Sequence, residues 1–320
     1  MNLVSLRKTL LLVLTASIWG LAFVAQTVGA DFVGTFTFLA LRNWVAAFAI
    51  LLVIFVRDRL MPASKDKQSA PAEKPSESRL AKTYRGWPVI GGALCGVILC
   101  VASAAQQAGI PLTTTAKAGF ITAMYVVIVP LLNLFFGSRA RLKIWLCMAL
   151  SVVGLYLLCM KGGFSLAAGD ALVLLCALLF ALHILTIDRV SPHVDGLKLS
   201  CVQFFVCAAL STVCMFIFET PSISGILSAA PSILYAGLLS SAVGYTLQIV
   251  AQKGLDPTIA SLAMCLESVF SALAGWALLG QSLTEREILG CALMFTAIVI
   301  SQLPDRRIKP AQSGEKTLSD

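Results

Sequence analysis

The sequence predicts an all-α membrane protein, with ten transmembrane helices arranged as two inverted five-helix repeats. Residues 86–303 form an almost unbroken series of apolar segments, preceded by two more at 6–28 and 34–56. A helix crosses the hydrocarbon with roughly 20 apolar residues. Stretches such as Val126 to Phe136 are continuously apolar, whereas the strands of a membrane barrel alternate. Hydrophobic residues make up 58% of the chain and charged ones 12%, about half of the roughly 25% usual in soluble domains.

Each span has its own features. In the first (6–28), Arg7 and Lys8 precede Thr9-Leu-Leu-Leu-Val-Leu-Thr15 in the manner of a signal peptide. Ala16-Ser-Ile-Trp-Gly20 is a poor cleavage site, however, and the apolar run continues to Val28, so the helix is read as retained. The second (34–56) contains Arg42. Residues 58–85, rich in Lys, Glu, Ser and Pro, read as a flexible loop. The third (86–108) contains Gly92-x-x-x-Gly96, which permits close helix approach. The fourth (115–137) contains Pro130, expected to kink it and serve as a hinge. The fifth to seventh follow at 141–160, 167–188 and 198–218, and the eighth at 229–251, with Gly237-x-x-x-Ser241. Asp256-Pro257 supplies a cap and first-turn proline for the ninth (257–280), and the tenth is 285–303. The expected organisation is therefore a first repeat over 1–163, a second over 164–304 and a tail over 305–320.

The net charge of +8 reflects topology rather than nucleic-acid binding. With the amino terminus inside, 20 of the 24 Lys and Arg fall on the cytosolic side, and only Lys117, Lys161 and Arg286 on the other. The positive-inside rule then places both termini in the cytosol of a cell membrane of bacterial inner-membrane type. All ten cysteines lie within spans and read as small packed hydrophobes.

Internal symmetry is faint in identity but consistent in pattern. A shift of 161 brings Trp19 onto Phe180, Gly20 onto Ala181 and Arg42 onto Gln203. A shift of 142 brings Ala118 onto Ala260, Leu131 onto Leu273 and Tyr125 onto Glu267. Five spans per half is an odd number, so the second half enters the membrane inverted, as in secondary transporters with one midplane site.

Ile18-Trp-Gly-Leu-Ala-Phe23, Phe36-Thr-Phe-Leu-Ala-Leu-Arg-Asn43 and the fourth span from Thr115 to Pro130 resemble the EamA-type branch of the drug/metabolite transporter superfamily. The resemblance covers about 8 to 303. It implies that spans one to four and six to nine surround a cavity, that five and ten are peripheral, and that small metabolites are exported or exchanged. Where second-half members often show Glu-Pro, this chain has Glu267-Ser268.

Intramembrane polar residues carry the functional signal, because a charge costs about 2.5 to 3.5 kcal/mol at a helix centre and so faces a cavity or a partner. Trp19, Arg42, Gln107, Tyr125, Gln203, Tyr245, Gln248 and Glu267 are the candidate substrate-binding residues, with Gln26, Gln106 and Asn133 of similar character. Arg42 and Glu267 fall at similar depths from opposite halves, which predicts that they pair, or part to hold the two charges of a zwitterion. The function expected is a secondary carrier of a small polar, amino-acid-like solute working by alternating access. A coupling proton and a homodimer are compatible with it.

A passive channel is the alternative. A membrane acyltransferase is a remoter one, resting on His183 and Asp188 in a His-x4-Asp spacing. No P-loop, His-Glu-x-x-His or Gly-x-Ser-x-Gly occurs, so neither catalysis nor a metal or other cofactor is expected.

Overall fold

The computed structural model describes residues 3–60, 87–113, 115–135, 137, 141–160, 168–279 and 282–303. Most of the expected loop at 58–85, the tail and Lys161 lie outside the described residues, as does the side chain of Lys117.

Ten helical spans are present among the described residues. The first three are Leu3–Ala30, Thr35–Leu60 and Trp87–Gly109. The fourth consists of Thr115–Thr122 and Tyr125–Phe135, and the fifth to seventh are Leu142–Cys159, Ala168–Val190 and Gly196–Phe218. The eighth runs through Ile223–Leu234, a π-helical Tyr235–Tyr245 and Thr246–Gln252. The ninth is Pro257–Met264 followed by Glu267–Leu279, and the tenth is Glu285–Gln302. Among the described residues, nine of these are long and apolar enough to cross a membrane. The tenth opens on Glu285, Arg286 and Glu287, which shortens its apolar part.

Span starts follow local capping chemistry. Asp195 accepts from the N–H groups of Leu197 (2.9 Å) and Lys198 (3.2 Å) at the start of the seventh span. Asp256 caps Thr258 N–H at 2.8 Å, with Pro257 as first helical residue, as the dipeptide predicted. Thr284 and Glu287 form a reciprocal capping box. The eighth span begins at Ile223 rather than at 229: Ser222 caps Gly225 N–H at 3.1 Å, so the helix starts ahead of the purely apolar run.

The fourth and ninth spans break at repeat-related places, Ala123–Met124 and Cys265–Leu266. Around both breaks, backbone bonds tighten to the third residue back, as in Val126 N–H to Ala123 O and Ser268 N–H to Cys265 O. Pro130, the predicted hinge, sits buried inside Tyr125–Phe135, downstream of the break. Its counterpart under the 142-residue shift is Ala272, yet the ninth span breaks as well. Proline is therefore not what interrupts these helices; the break belongs to the repeat.

Neighbour relations repeat across the two halves. The second span packs on the seventh, and the fifth on the tenth. The first packs on the ninth as the sixth packs on the fourth, and the third meets the sixth and seventh as the eighth meets the first and second. The fifth and tenth touch where Gly154 and Gly290 oppose each other. A Cβ on either would lie 2.7 or 2.5 Å from the other's carbonyl oxygen.

The central pair is tied at both ends. Glu219, after the seventh span, accepts from Phe36 N–H (2.8 Å), Thr37 N–H (2.8 Å) and the Thr37 hydroxyl (2.7 Å) at the start of the second. At the opposite face Arg57 donates to Asp195 at 2.8 Å. That second face also brings Lys8 of the first span against the carbonyl of Lys253.

Candidate functional site

Near the middle of the bundle lies a cavity, whose space free of atoms, together with the open solvent at its mouth, is about 520 Å³. Its walls come from the first span (Trp19, Ala22, Phe23, Gln26), the second (Arg42), the third (Gln106) and the fourth (Tyr125). The second half supplies Phe180, His183 and Ile184, then Ser240, Tyr245 and Gln248, and finally Met264 and Glu267. The fifth and tenth spans contribute none of these residues.

The lining obeys the repeat. Under the 161-residue shift, Trp19 matches Phe180, Ala22 matches His183 and Phe23 matches Ile184; under 142, Gln106 matches Gln248 and Tyr125 matches Glu267. Ten of the fifteen lining residues thus fall into five repeat-related pairs. A cavity built from matching positions of inverted halves sits between those halves.

Two charged groups face this space. Arg42 Nη1 reaches Gln26 Oε1 and Nη2 reaches Ser103 Oγ, both at 3.4 Å, while its Nε has no hydrogen-bond partner among the described residues. Those contacts are long for a guanidinium, whose charge-assisted bonds run nearer about 2.8 Å. Glu267, the first residue of the ninth span's second half, receives the Tyr125 hydroxyl at 3.1 Å. Tyr125 likewise opens the second half of the fourth span.

Aromatic rings line the same space. Tyr245 lies 4.7 Å from Trp19, 5.6 Å from Phe204 and 5.9 Å from His183, centroid to centroid. The Trp19 indole N–H donates to Ser240 O at 3.1 Å, inside the π-helical segment. Such widened turns are rare and recur at functional sites.

Six of the eight predicted site residues line the cavity: Trp19, Arg42, Tyr125, Tyr245, Gln248 and Glu267. Gln107 stands behind the wall, donating to Gln26 O at 3.4 Å, while its neighbour Gln106 faces the space. Adjacent residues on a helix point about 100° apart, and the rotation of the third span turns Gln106 rather than Gln107 to the space. Gln203 is also set back, against His183 at 3.2 Å. His183, read from the sequence only as part of a His-x4-Asp spacing, lines the cavity instead, at the position that the 161-residue shift matches to Ala22 of the first half.

The expected Arg42–Glu267 ion pair is not formed; Arg42 meets Gln26 and Ser103, and Glu267 meets Tyr125. Equal depth left their lateral positions on different helices undefined. The His183–Asp188 dyad is not formed either, because five residues turn a helix by about 140°, and His183 bonds Gln203 instead.

Comparison with known proteins settles the family of the chain. Residues 6–160 and 167–302 match the EamA-like transporter family, one repeat each. The chain belongs to that family. This EamA-like transporter is 26% identical over 293 residues to an uncharacterized transporter of Archaeoglobus fulgidus, covering 91% of this chain and 84% of that one. It is 23% identical over 300 residues to the uncharacterized transporter YoaV of Bacillus subtilis, covering 91% and 95%. A crystal structure with 18% identity superposes with a TM-score of 0.73, covering 93% of this chain and 98% of the other, which speaks for the fold.

Proposed function

We propose that this EamA-like transporter is a secondary carrier that exports or exchanges a small amino-acid-like zwitterion by alternating access. The observation that carries this reading is the separation of Arg42 from Glu267 within one cavity. Two opposite charges that face the same space without neutralising each other suit a ligand bearing both charges. The Arg42 fork matches a carboxylate, and its unpartnered Nε leaves a donor for it. Glu267 matches an ammonium group, and the Trp19–Tyr245 wall matches the apolar body of such a molecule.

Both termini lie in the cytosol in this reading, since the described ends rich in Lys and Arg, such as Lys8, Arg57 and Lys253, share one face. A proton is the candidate coupling ion, with Glu267 as the group able to carry it.

Counterflow in proteoliposomes preloaded with an amino-acid pool, with and without a pH gradient, tests the proposal. Saturable uptake of labelled solute driven by unlabelled solute inside is the expected result. Flux that neither saturates nor shows counterflow would make the protein a channel. Counterflow indifferent to a pH gradient would remove the proton.

A further inference from the structure

We propose that His183 is a further group with which the second repeat holds the substrate, beside Glu267, acting as a hydrogen-bond acceptor, and that Gln203 is its positioning residue. The proposal rests on the cavity being the transport site. The two halves place unlike groups at matching positions. In the first, Ala22 leaves the wall open and Arg42, a donor only, reaches the space. In the second, the matching pair is His183 and Gln203, and the imidazole fills the opening while the amide withdraws behind it.

The amide fixes what the ring can do. His183 Nε2 lies 3.2 Å from Gln203 Oε1. We assign the tautomer in which the amide oxygen accepts and Nε2 carries the proton, so that in a neutral ring Nδ1 keeps its lone pair; a reversed amide would reverse the assignment. A second proton would add a cation to a cavity that already holds Arg42. The edge-on contact with Tyr245 at 5.9 Å holds the ring plane. Nδ1 therefore calls for an N–H or O–H on the substrate, while Arg42 calls for an acceptor. The two repeats, related by inversion, present complementary hydrogen-bonding sense to one ligand.

The chain has two histidines, His183 and His193, which makes the test direct. Protein labelled with 15N-histidine in lipid nanodiscs, with His193→Gln to assign the signals, should show His183 as the neutral Nε2–H tautomer. An Nδ1–H tautomer or an imidazolium at neutral pH overturns the proposal whether or not transport is found. Adding the amino-acid pool used for counterflow should move the Nδ1 signal. Counterflow with an unmoved Nδ1 overturns the His183 assignment alone, whereas absence of counterflow with the expected tautomer overturns the carrier reading and the substrate role with it. His183→Ala and Gln203→Leu should raise KM about three- to tenfold with kcat nearly unchanged, the scale of one neutral hydrogen bond. His183→Asn, whose Oδ1 can stand where Nδ1 stands, should recover most of that loss. Failure of this variant to rescue, in protein that melts like the parent, counts against acceptor chemistry.

Discussion

The Tyr125 hydroxyl donates to Glu267 Oε1 at 3.1 Å, joining two residues that stand 142 positions apart. That number is also the offset that superposes the fourth span on the ninth, so the bond links matching residues of the two repeats. Each residue begins the half-helix that follows a break, and each is buried in the cavity wall.

Tyr125→Phe should lower stability by about 1 to 3 kcal/mol, the cost of orphaning a buried acceptor, read as a fall in melting temperature in detergent. Glu267→Gln should be milder, because an amide oxygen still accepts from the Tyr125 hydroxyl. A double-mutant cycle over the two should be non-additive, and additive melting shifts would mean that the bond is not made in the membrane protein.

Arg42→Gln and Glu267→Gln should, by contrast, combine additively in stability, within about 0.5 kcal/mol, since they share no partner. Each alone should abolish most counterflow. Strong coupling in the cycle would show that the two charges pair during the cycle even though they are apart here.

Asp195 ties the start of the seventh span to Arg57 of the second. Burial alone would raise its carboxyl. The Lys198 N–H, the Arg57 guanidinium and the Leu197 N–H together hold it below the usual carboxylate range. A depressed value adds stability above the unfolded-state pKa of about 3.9, and that stability is lost as pH falls through the folded value. Melting temperatures of the parent and Asp195→Asn should therefore differ at neutral pH and converge on acidification. A constant difference would assign the effect to capping alone.

Gly290→Leu should pry the tenth span from the fifth, because its Cβ would meet the backbone carbonyl of Gly154, which cannot move aside. Stability should drop by several kcal/mol, on the order of other overpacked interiors or more. Substrate KM in the surviving protein should stay near that of the parent, since neither span lines the cavity.

Single cysteines at Asp31 and Ser222 in a cysteine-free background should label with impermeant thiol reagent in intact cells. Those at Arg59 and Lys253 should not. All four positions are exposed, so a reversed pattern would invert the topology.

The sequence by itself determined the class, the ten spans and the twofold internal pattern, because span length and hydrophobicity are set by the bilayer and need no tertiary context. It also marked Trp19, Arg42, Tyr125 and Glu267, since a polar group in hydrocarbon must have a reason to be there. Only the tertiary structure decided which of Gln106 and Gln107 faces inward, because helix rotation is set by neighbouring helices. It alone withdrew Gln203 behind His183, a choice made by the volume of Ala22 against imidazole at matching places. It also kept Arg42 and Glu267 apart: depth along a helix can be counted from sequence, but lateral position in the bundle depends on which helices pack together.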